Sequence, residues 1–549
     1  MFGTMMNDQL LLSGLLEQAA ARYADMEIVG RDLDGIVRRQ TYAQTDRRVR
    51  CLANALRARG VGDGDCVGSL AWSTRQHFEL FYAIPSLGAV LHTVNPRLAP
   101  DVMAYVVESA RDVWMFVDAG TLAQAEALAP HVPSVRHWVY LGPDHPPANT
   151  LPNLLTLEAL IADADAAIEW PEFDERRAAI ICFTSGTTGK PKGVVYSHRS
   201  TILSALCMST SDMVGGYRPG AQETVMPIAP LFHGNGWQMP FCAPLNGQRI
   251  VFPGRAFDAD HLLQLMLHEE VTIAAAVPTI WTDIVKKLDA NQLRLPALRV
   301  ALVAGARVPG ALFDALEQRG VSVFQSWGMT EALGACRATP PPGSVALDQE
   351  SLRILRRERQ GRPNFCTRVK ILDAGGQPQP HDGSSSGRLH VRGPLVTGRY
   401  LGDPDSDTVE WLDTGDIAKV YRDGTIEIVD RAKDVIKSGG EWISSLEIEA
   451  AALTHPAIAS AAAIAAYHEK WQERPLLLCK RRAPRRSWPI RPNSPRSRSC
   501  ANATAPPMMM SSYCGPWCRR RISSGCARRG PSKPPIRCSH RRNSSKSGS

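Results

Sequence analysis

One stretch constrains this chain more than any other: the apolar run Ala178-Ala-Ile-Ile-Cys182 and the segment after it, Phe183-Thr-Ser-Gly-Thr-Thr-Gly-Lys-Pro-Lys-Gly-Val-Val195. The apolar run predicts a buried strand that ends in a turn. Gly186, Gly189 and Gly193 let the backbone aim its N–H groups at an anion from close range. Thr184, Ser185, Thr187 and Thr188 add hydroxyls, and Lys190 and Lys192 add charge. Residue types of this kind hold a triphosphate. The pattern is not G-x-x-x-x-G-K-[ST], because only two residues separate Gly186 from Gly189-Lys190 and Pro191 stands where a magnesium-binding hydroxyl belongs.

Around that loop, residues 1 to about 429 alternate strand-like apolar runs with helical patterns, which predicts an α/β fold with parallel sheets. Helical periodicity covers 47–59 and 257–269, and buried strands are expected at 65–70, 113–117, 273–277 and 298–303. From about Arg388 to Val429 the pattern changes to short alternating strands separated by Gly turns. At 549 residues the chain needs two or more domains. It has no cationic, apolar leader and no run of about 18 apolar residues, so a cytoplasmic protein without a membrane span is expected.

Net charge divides the chain. Residues 480–549 carry 18 Lys and Arg and no acid; the whole carries +9, so residues 1–479 carry −9. This tail is rich in Arg, Pro, Ser and Cys and lacks hydrophobic periodicity. Three readings fit it: a basic nucleic-acid arm, a zinc module built on Cys514 and Cys518, or an out-of-frame translation of a GC-rich gene. The third is favoured, with the tail disordered and no specific nucleic acid bound. Cys526 and Cys538 lack ligand-pair spacing, and the change falls inside an apolar strand after Leu478.

Ser185-Gly-Thr-Thr-Gly-Lys-Pro-Lys192 resembles the phosphate loop of the adenylate-forming (AMP-binding) enzymes, which include acyl-CoA synthetases and aryl-CoA ligases. Three further segments follow in that family's order. They are Gln325-Ser-Trp-Gly-Met-Thr-Glu331, Thr414-Gly-Asp416, and Asp430-Arg-Ala-Lys-Asp-Val-Ile-Lys-Ser-Gly-Gly-Glu-Trp-Ile-Ser445. The resemblance implies a large N-terminal domain (1–429) of stacked mixed sheets with helices and a β subdomain. A hinge at 430–434 and the start of a small α+β C-terminal domain (435–479) follow.

The same resemblance implies the co-substrates ATP, CoA and a small-molecule acid, with Mg²⁺. Thr184 to Lys192 would hold the β- and γ-phosphates. Glu331 and Thr184 would serve the metal, and Thr330 the α-phosphate. Gln325, Ser326, Trp327, Gly328 and Met329 would form one wall of the adenine pocket, with Trp327 giving the flat face. Gly305, Ala306 and Arg307 would form the other wall. Asp416 would accept from the ribose hydroxyls, Arg431 would contact ribose or phosphate, and Lys433 sits at the hinge. Lys437, Gly439, Gly440, Glu441 and Trp442 resemble the pantetheine side of medium- and long-chain fatty acyl-CoA ligases.

For the acyl end, in Pro230-Leu-Phe-His-Gly-Asn-Gly-Trp237, His233 resembles the family histidine beside the substrate carboxylate, and Trp237 matches the position of the gating ring of fatty acyl-CoA synthetases. Gly234, Val277 and Pro278 complete an uncharged pocket that offers an amino acid's amine no acidic partner. A fatty acid of medium to long chain is therefore favoured. An aryl or methylthioalkanoate ligase and a catalytically dead nucleotide-binding remnant are the alternatives. Peripheral membrane contact and a homodimer stay open. The family's P-K-T-x-x-G-K segment, whose lysine bridges carboxylate and α-phosphate, is missing, and Ser532-Lys-Pro-Pro535 does not replace it.

Overall fold

The computed structural model describes residues 1, 3–142, 146–184, 190–210, 222–337, 348–402, 409–438, 441–453, 455, 457–469 and 471–481, with the side chains of residues 335, 337, 441 and 442 outside that set. Two large sheets dominate. One has seven strands in the order Leu154–Thr156, His137–Leu141, Asp112–Asp118, Cys66–Leu70, Val90–Thr93, Ala178–Thr184 and Lys192–Ser197. Every neighbouring pair is parallel except the last. The other has nine strands with a parallel centre: Ser322–Met329, Val300–Val303, Ile273–Ala276, Thr224–Pro227, Arg249–Phe252 and Glu27–Arg31. Antiparallel strands finish its two edges.

Strands buried on both faces send alternate side chains into different layers. Ile250 and Phe252 point into the core shared with the seven-stranded sheet, whereas Val251 points to the outer layer. Ile273 and Ala275 divide from Ala274 and Ala276 in the same way, as do Val300 and Leu302 from Ala301 and Val303. Helices Ala259–His268, Pro278–Asn291 and Gly310–Glu317 cover the outer face of the nine-stranded sheet. Helices Pro100–Ala110 and Leu122–Leu128 cover the outer face of the seven-stranded one. Leu12–Arg22, Tyr42–Ala58 and Arg75–Ala83 fill the space between.

Boundaries shift from those expected where a cap decides them. The helix expected at 47–59 begins at Tyr42, because Thr41 and Gln44 form a reciprocal capping box. The helix expected at 257–269 begins at Ala259 behind the N-cap Asp258. The strand expected at 298–303 starts at Val300.

Two antiparallel sheets complete the chain. The third joins Arg368–Leu372, Ser386–Arg392, Leu412–Val420 and Ile426–Arg431. The fourth joins Glu441–Ile443, Ile436–Ser438, Gln472–Arg481 and Ile458–His468, with helix Ser445–Leu453 packed against it. Pairing of its long strands runs through the point after Leu478, with Cys479 opposite Ala461 and Lys480 opposite Ser460. Residues 482–549, and with them every tail cysteine, lie outside the described residues.

Candidate active site

A cavity of about 630 Å³ is bounded by the nine-stranded sheet, the third sheet, helix Ser445–Leu453 and strand Ile458–His468. Gly305, Ala306, Arg307, Ser326, Trp327, Gly328, Asp416, Arg431 and Lys433 all line it. Gly305 turns out of strand Val300–Val303 at φ +87°, a conformation that a side chain would strain.

Asp416 is the electrostatic centre of this cavity. Trp327 donates its indole N–H to Asp416 Oδ2 at 2.8 Å, and Arg431 Nε lies 3.0 Å from Oδ1. Burial pushes the Asp416 carboxyl upward, while the Arg431 charge and the Trp327 N–H pull it back. A carboxylate oxygen has two acceptor positions, so each oxygen keeps one for a ligand hydroxyl. Ser326 Oγ is buried without a protein partner, which leaves a polar atom suited to a base or ribose. Gln325 departs from expectation. Its amide nitrogen donates to the carbonyls of Arg356 and Arg357, its oxygen accepts from Gln360, and it does not line the cavity.

Strands Ala178–Thr184 and Lys192–Ser197 form an antiparallel hairpin closed by the pair Thr184 and Lys192. The glycine-rich loop therefore joins two strands, whereas the G-x-x-x-x-G-K-[ST] loop leads from a strand into a helix. Ser185, Gly186, Thr187, Thr188 and Gly189 lie outside the described residues. Lys190 Nζ sits 4.8 Å from the Tyr105 ring centre, and Lys192 Nζ sits 4.7 Å from that of Tyr400.

Thr330 and Glu331 occupy the turn between the antiparallel strands Ser322–Met329 and Ala332–Arg337. Tyr196 donates to the Thr330 carbonyl at 2.7 Å, and Tyr400 donates to Glu331 Oε1 at 3.0 Å. Met329 packs on the core of the third sheet. No group of three metal-binding side chains occurs among the described residues. Glu331 suits a Mg²⁺ ion that takes its other ligands from phosphate and water, the usual arrangement at nucleotide sites.

At the acyl end, five consecutive residues from Gly234 to Gln238 have φ between +44° and +66°. Glycines at 234 and 236 make such a left-handed turn affordable, and Asn is the side-chain-bearing residue that best tolerates it. Gly236 has no room to spare, since an added Cβ would stand 3.1 Å from Leu231 Cδ2. His233 precedes the turn with its imidazole pushed down to about 4, first by burial and then by the Arg97 charge, and Asn95 Nδ2 lies 3.5 Å from its Nε2. Trp237 packs against the large apolar core. Val277 caps helix Pro278–Asn291 and faces Gly305, and Pro278 is buried; neither lines the cavity.

Asp430 is buried near the end of strand Ile426–Arg431, and its Oδ2 accepts from Ser445 N at 2.7 Å and Ser445 Oγ at 2.8 Å. It thereby anchors the start of helix Ser445–Leu453 from the end of the preceding sheet. Lys437 lies in strand Ile436–Ser438, with its backbone N–H on Glu473. Gly439 and Gly440, and the side chains of Glu441 and Trp442, lie outside the described residues. The sequence patterns did not single out Tyr400 or Tyr196, whose partners Glu331 and Thr330 lie 69 and 134 residues away, and Asp430 entered only as the first residue of the segment that ends at its partner Ser445.

This layering of stacked mixed sheets, with a nucleotide-sized cavity at their edge, defines an adenylate-forming fold. An AMP-binding enzyme family model matches residues 16–401. The 3-methylmercaptopropionyl-CoA ligase of Ruegeria lacuscaerulensis is 39% identical over 87% of this chain and 89% of its own. The medium-chain-fatty-acid–CoA ligase of Ectopseudomonas oleovorans is 38% identical over 87% and 88%. Among solved structures, an anthranilate CoA ligase bound to anthranoyl-AMP superposes with a TM-score of 0.75 at 24% identity, covering 89% of this chain and 90% of that one. The chain belongs to the AMP-binding enzyme family, among the AMP-forming acyl-CoA ligases that work through an acyl-adenylate with ATP, Mg²⁺ and CoA. No helix among the described residues is long and apolar enough to cross a membrane.

Proposed function

We propose that the acid activated is a fatty acid of medium to long chain, joined to AMP and then passed to CoA as a thioester. The observation that carries this reading is the apolar surround of the left-handed turn at 234–238. Phe232, Phe241, Leu231 and Met239 are buried beside it, and Trp237 packs on the same core. An apolar acid would suit such a surround, whereas an amino acid's ammonium would lose its hydration without compensation.

In this reading the neutral imidazole of His233 orients the acid's carboxylate for attack on the α-phosphate. Asp416, between Trp327 and Arg431, fixes the ribose, and the Trp327 ring bounds the base. Thr330 meets the α-phosphate, while Lys190 and Lys192 stabilise the departing pyrophosphate; positioning and charge supply most of the rate in such transfers. A Mg²⁺ ion held by Glu331 would neutralise phosphate charge. Residues 435–479 form the start of a small domain that turns about 430–434 and brings Lys437 to the thiol side.

The test is a panel of acids in a pyrophosphate-release assay, with mass spectrometry of the CoA products. Octanoate to palmitate should outrun acetate, benzoate and alanine. A methylthioalkanoate as the best substrate would favour the second reading, which rests on the Ruegeria relative.

A further inference from the structure

Tyr400 touches both charged elements of the phosphate end. Its hydroxyl donates to Glu331 Oε1 at 3.0 Å, and the Lys192 ammonium sits 4.7 Å from its ring centre. The backbone on either side joins the same two elements. Thr397 N donates to the Glu331 carbonyl and Leu401 N to the Gly193 carbonyl, each at 2.8 Å. The approach is tight, since a Cβ on Gly193 would stand 2.9 Å from Leu401 Cβ. The five residues 397–401 thus strap the Thr330–Glu331 turn to the lysine-bearing strand of the hairpin.

We infer that Tyr400 is a positioning residue that sets Glu331 and Lys192 together for the magnesium-bound triphosphate, fixing the carboxylate through its hydroxyl and the ammonium through its ring. The inference rests on the function proposed above. Its physical content is separable. The hydroxyl occupies one acceptor position of Glu331 and restrains carboxylate rotation, leaving Oε2 for a cation. Groups that hold a metal ligand in this way are worth about 10- to 100-fold in metal affinity. The ring holds the Lys192 ammonium at the mouth of the loop by its quadrupole.

The experiment is calorimetric titration of ATP into the purified 549-residue chain without acid or CoA, once with excess Mg²⁺ and once with EDTA. Wild type is compared with Tyr400→Phe and Tyr400→Leu. Tyr400→Phe should bind ATP in EDTA as wild type does, but should lose about tenfold of the gain that Mg²⁺ gives. Tyr400→Leu should be weaker in both conditions, because the ammonium loses its platform. Glu331→Gln should reproduce the lost Mg²⁺ gain, and adding Tyr400→Phe to it should cost nothing further. A Tyr400→Phe protein with wild-type thermal stability and an undiminished Mg²⁺ gain overturns the inference. So does a further loss in the double variant, which keeps the test decisive should one single variant fold poorly. Wild type that binds no ATP in either condition would instead remove the proposed function.

Discussion

The indole N–H of Trp327 meets Asp416 Oδ2 at 2.8 Å across 89 residues of sequence, tying strand Ser322–Met329 of the nine-stranded sheet to the third sheet. Both partners are buried, and the acceptor's other oxygen is paired with the Arg431 guanidinium at 3.0 Å. A hydrogen bond to a charged group contributes about 1.5–3 kcal/mol. Trp327→Phe, which keeps an aromatic face but removes the donor, should therefore weaken ATP binding by a factor on the order of 10 to 100. Calorimetric titration of ATP checks this, and acid affinity should stay nearly constant.

The His233 imidazole is held to about 4 against an ordinary value of 6.5, so the folded protein keeps it neutral through the usual assay range. Adenylation should show no loss between about pH 8 and pH 5 that traces to this group. The linkage runs the other way from a salt-bridged histidine. The unfolded chain takes up the proton below 6.5 and the folded chain only below about 4, so this stabilisation is full above 6.5 and fades as pH falls toward 4. Urea unfolding at about pH 7 and pH 5 should show His233→Gln losing less stability than wild type, by a difference on the order of 1–2 kcal/mol.

Gly236 bears φ +56° with Leu231 Cδ2 at 3.1 Å from any added Cβ. Gly236→Ala should destabilise the protein by roughly 1–3 kcal/mol, from left-handed strain plus the close contact. Denaturant melts would read this directly. Trp237→Ala, by contrast, opens apolar space, and should raise the ratio of long- to short-chain acid turnover in a competition assay.

Asp430 serves Ser445 with two short bonds through one carboxylate oxygen. Asp430→Ala should cost about 1–2 kcal/mol, the usual range for a lost helix-start acceptor. The loss should appear first as faster amide exchange in helix Ser445–Leu453, since that helix loses its anchor.

The hairpin that bears the loop was legible in part: the apolar run Ala178–Cys182 read as a buried strand, and it forms one, while residues 185–189 lie outside the described residues. The α/β layering was legible too, because doubly buried strands such as Ile273–Ala276 read as continuous apolar runs. Tyr400 was not legible: its role depends on Glu331, 69 residues away, and no local pattern encodes that pairing. Gln325 was misread for the complementary reason. Its neighbours in the segment line the cavity, yet its own amide is spent on the carbonyls of Arg356 and Arg357. The left-handed turn at 234–238 was half legible. Gly234 and Gly236 were read only as part of an uncharged pocket, and nothing local foretold that Asn235, Trp237 and Gln238 would share their left-handed conformation.

If the chain binds ATP and uses it to activate an apolar acid, the purified 549-residue protein should release pyrophosphate when acid is added. That release should depend on a fatty acid and on Mg²⁺ and be abolished by Asp416→Ala. The rate should fall 10²- to 10³-fold below that of a relative carrying the P-K-T-x-x-G-K lysine, because a cation at the developing charge is worth several kcal/mol. Release that ignores the fatty acid, or that matches such a relative in rate, would contradict this reading.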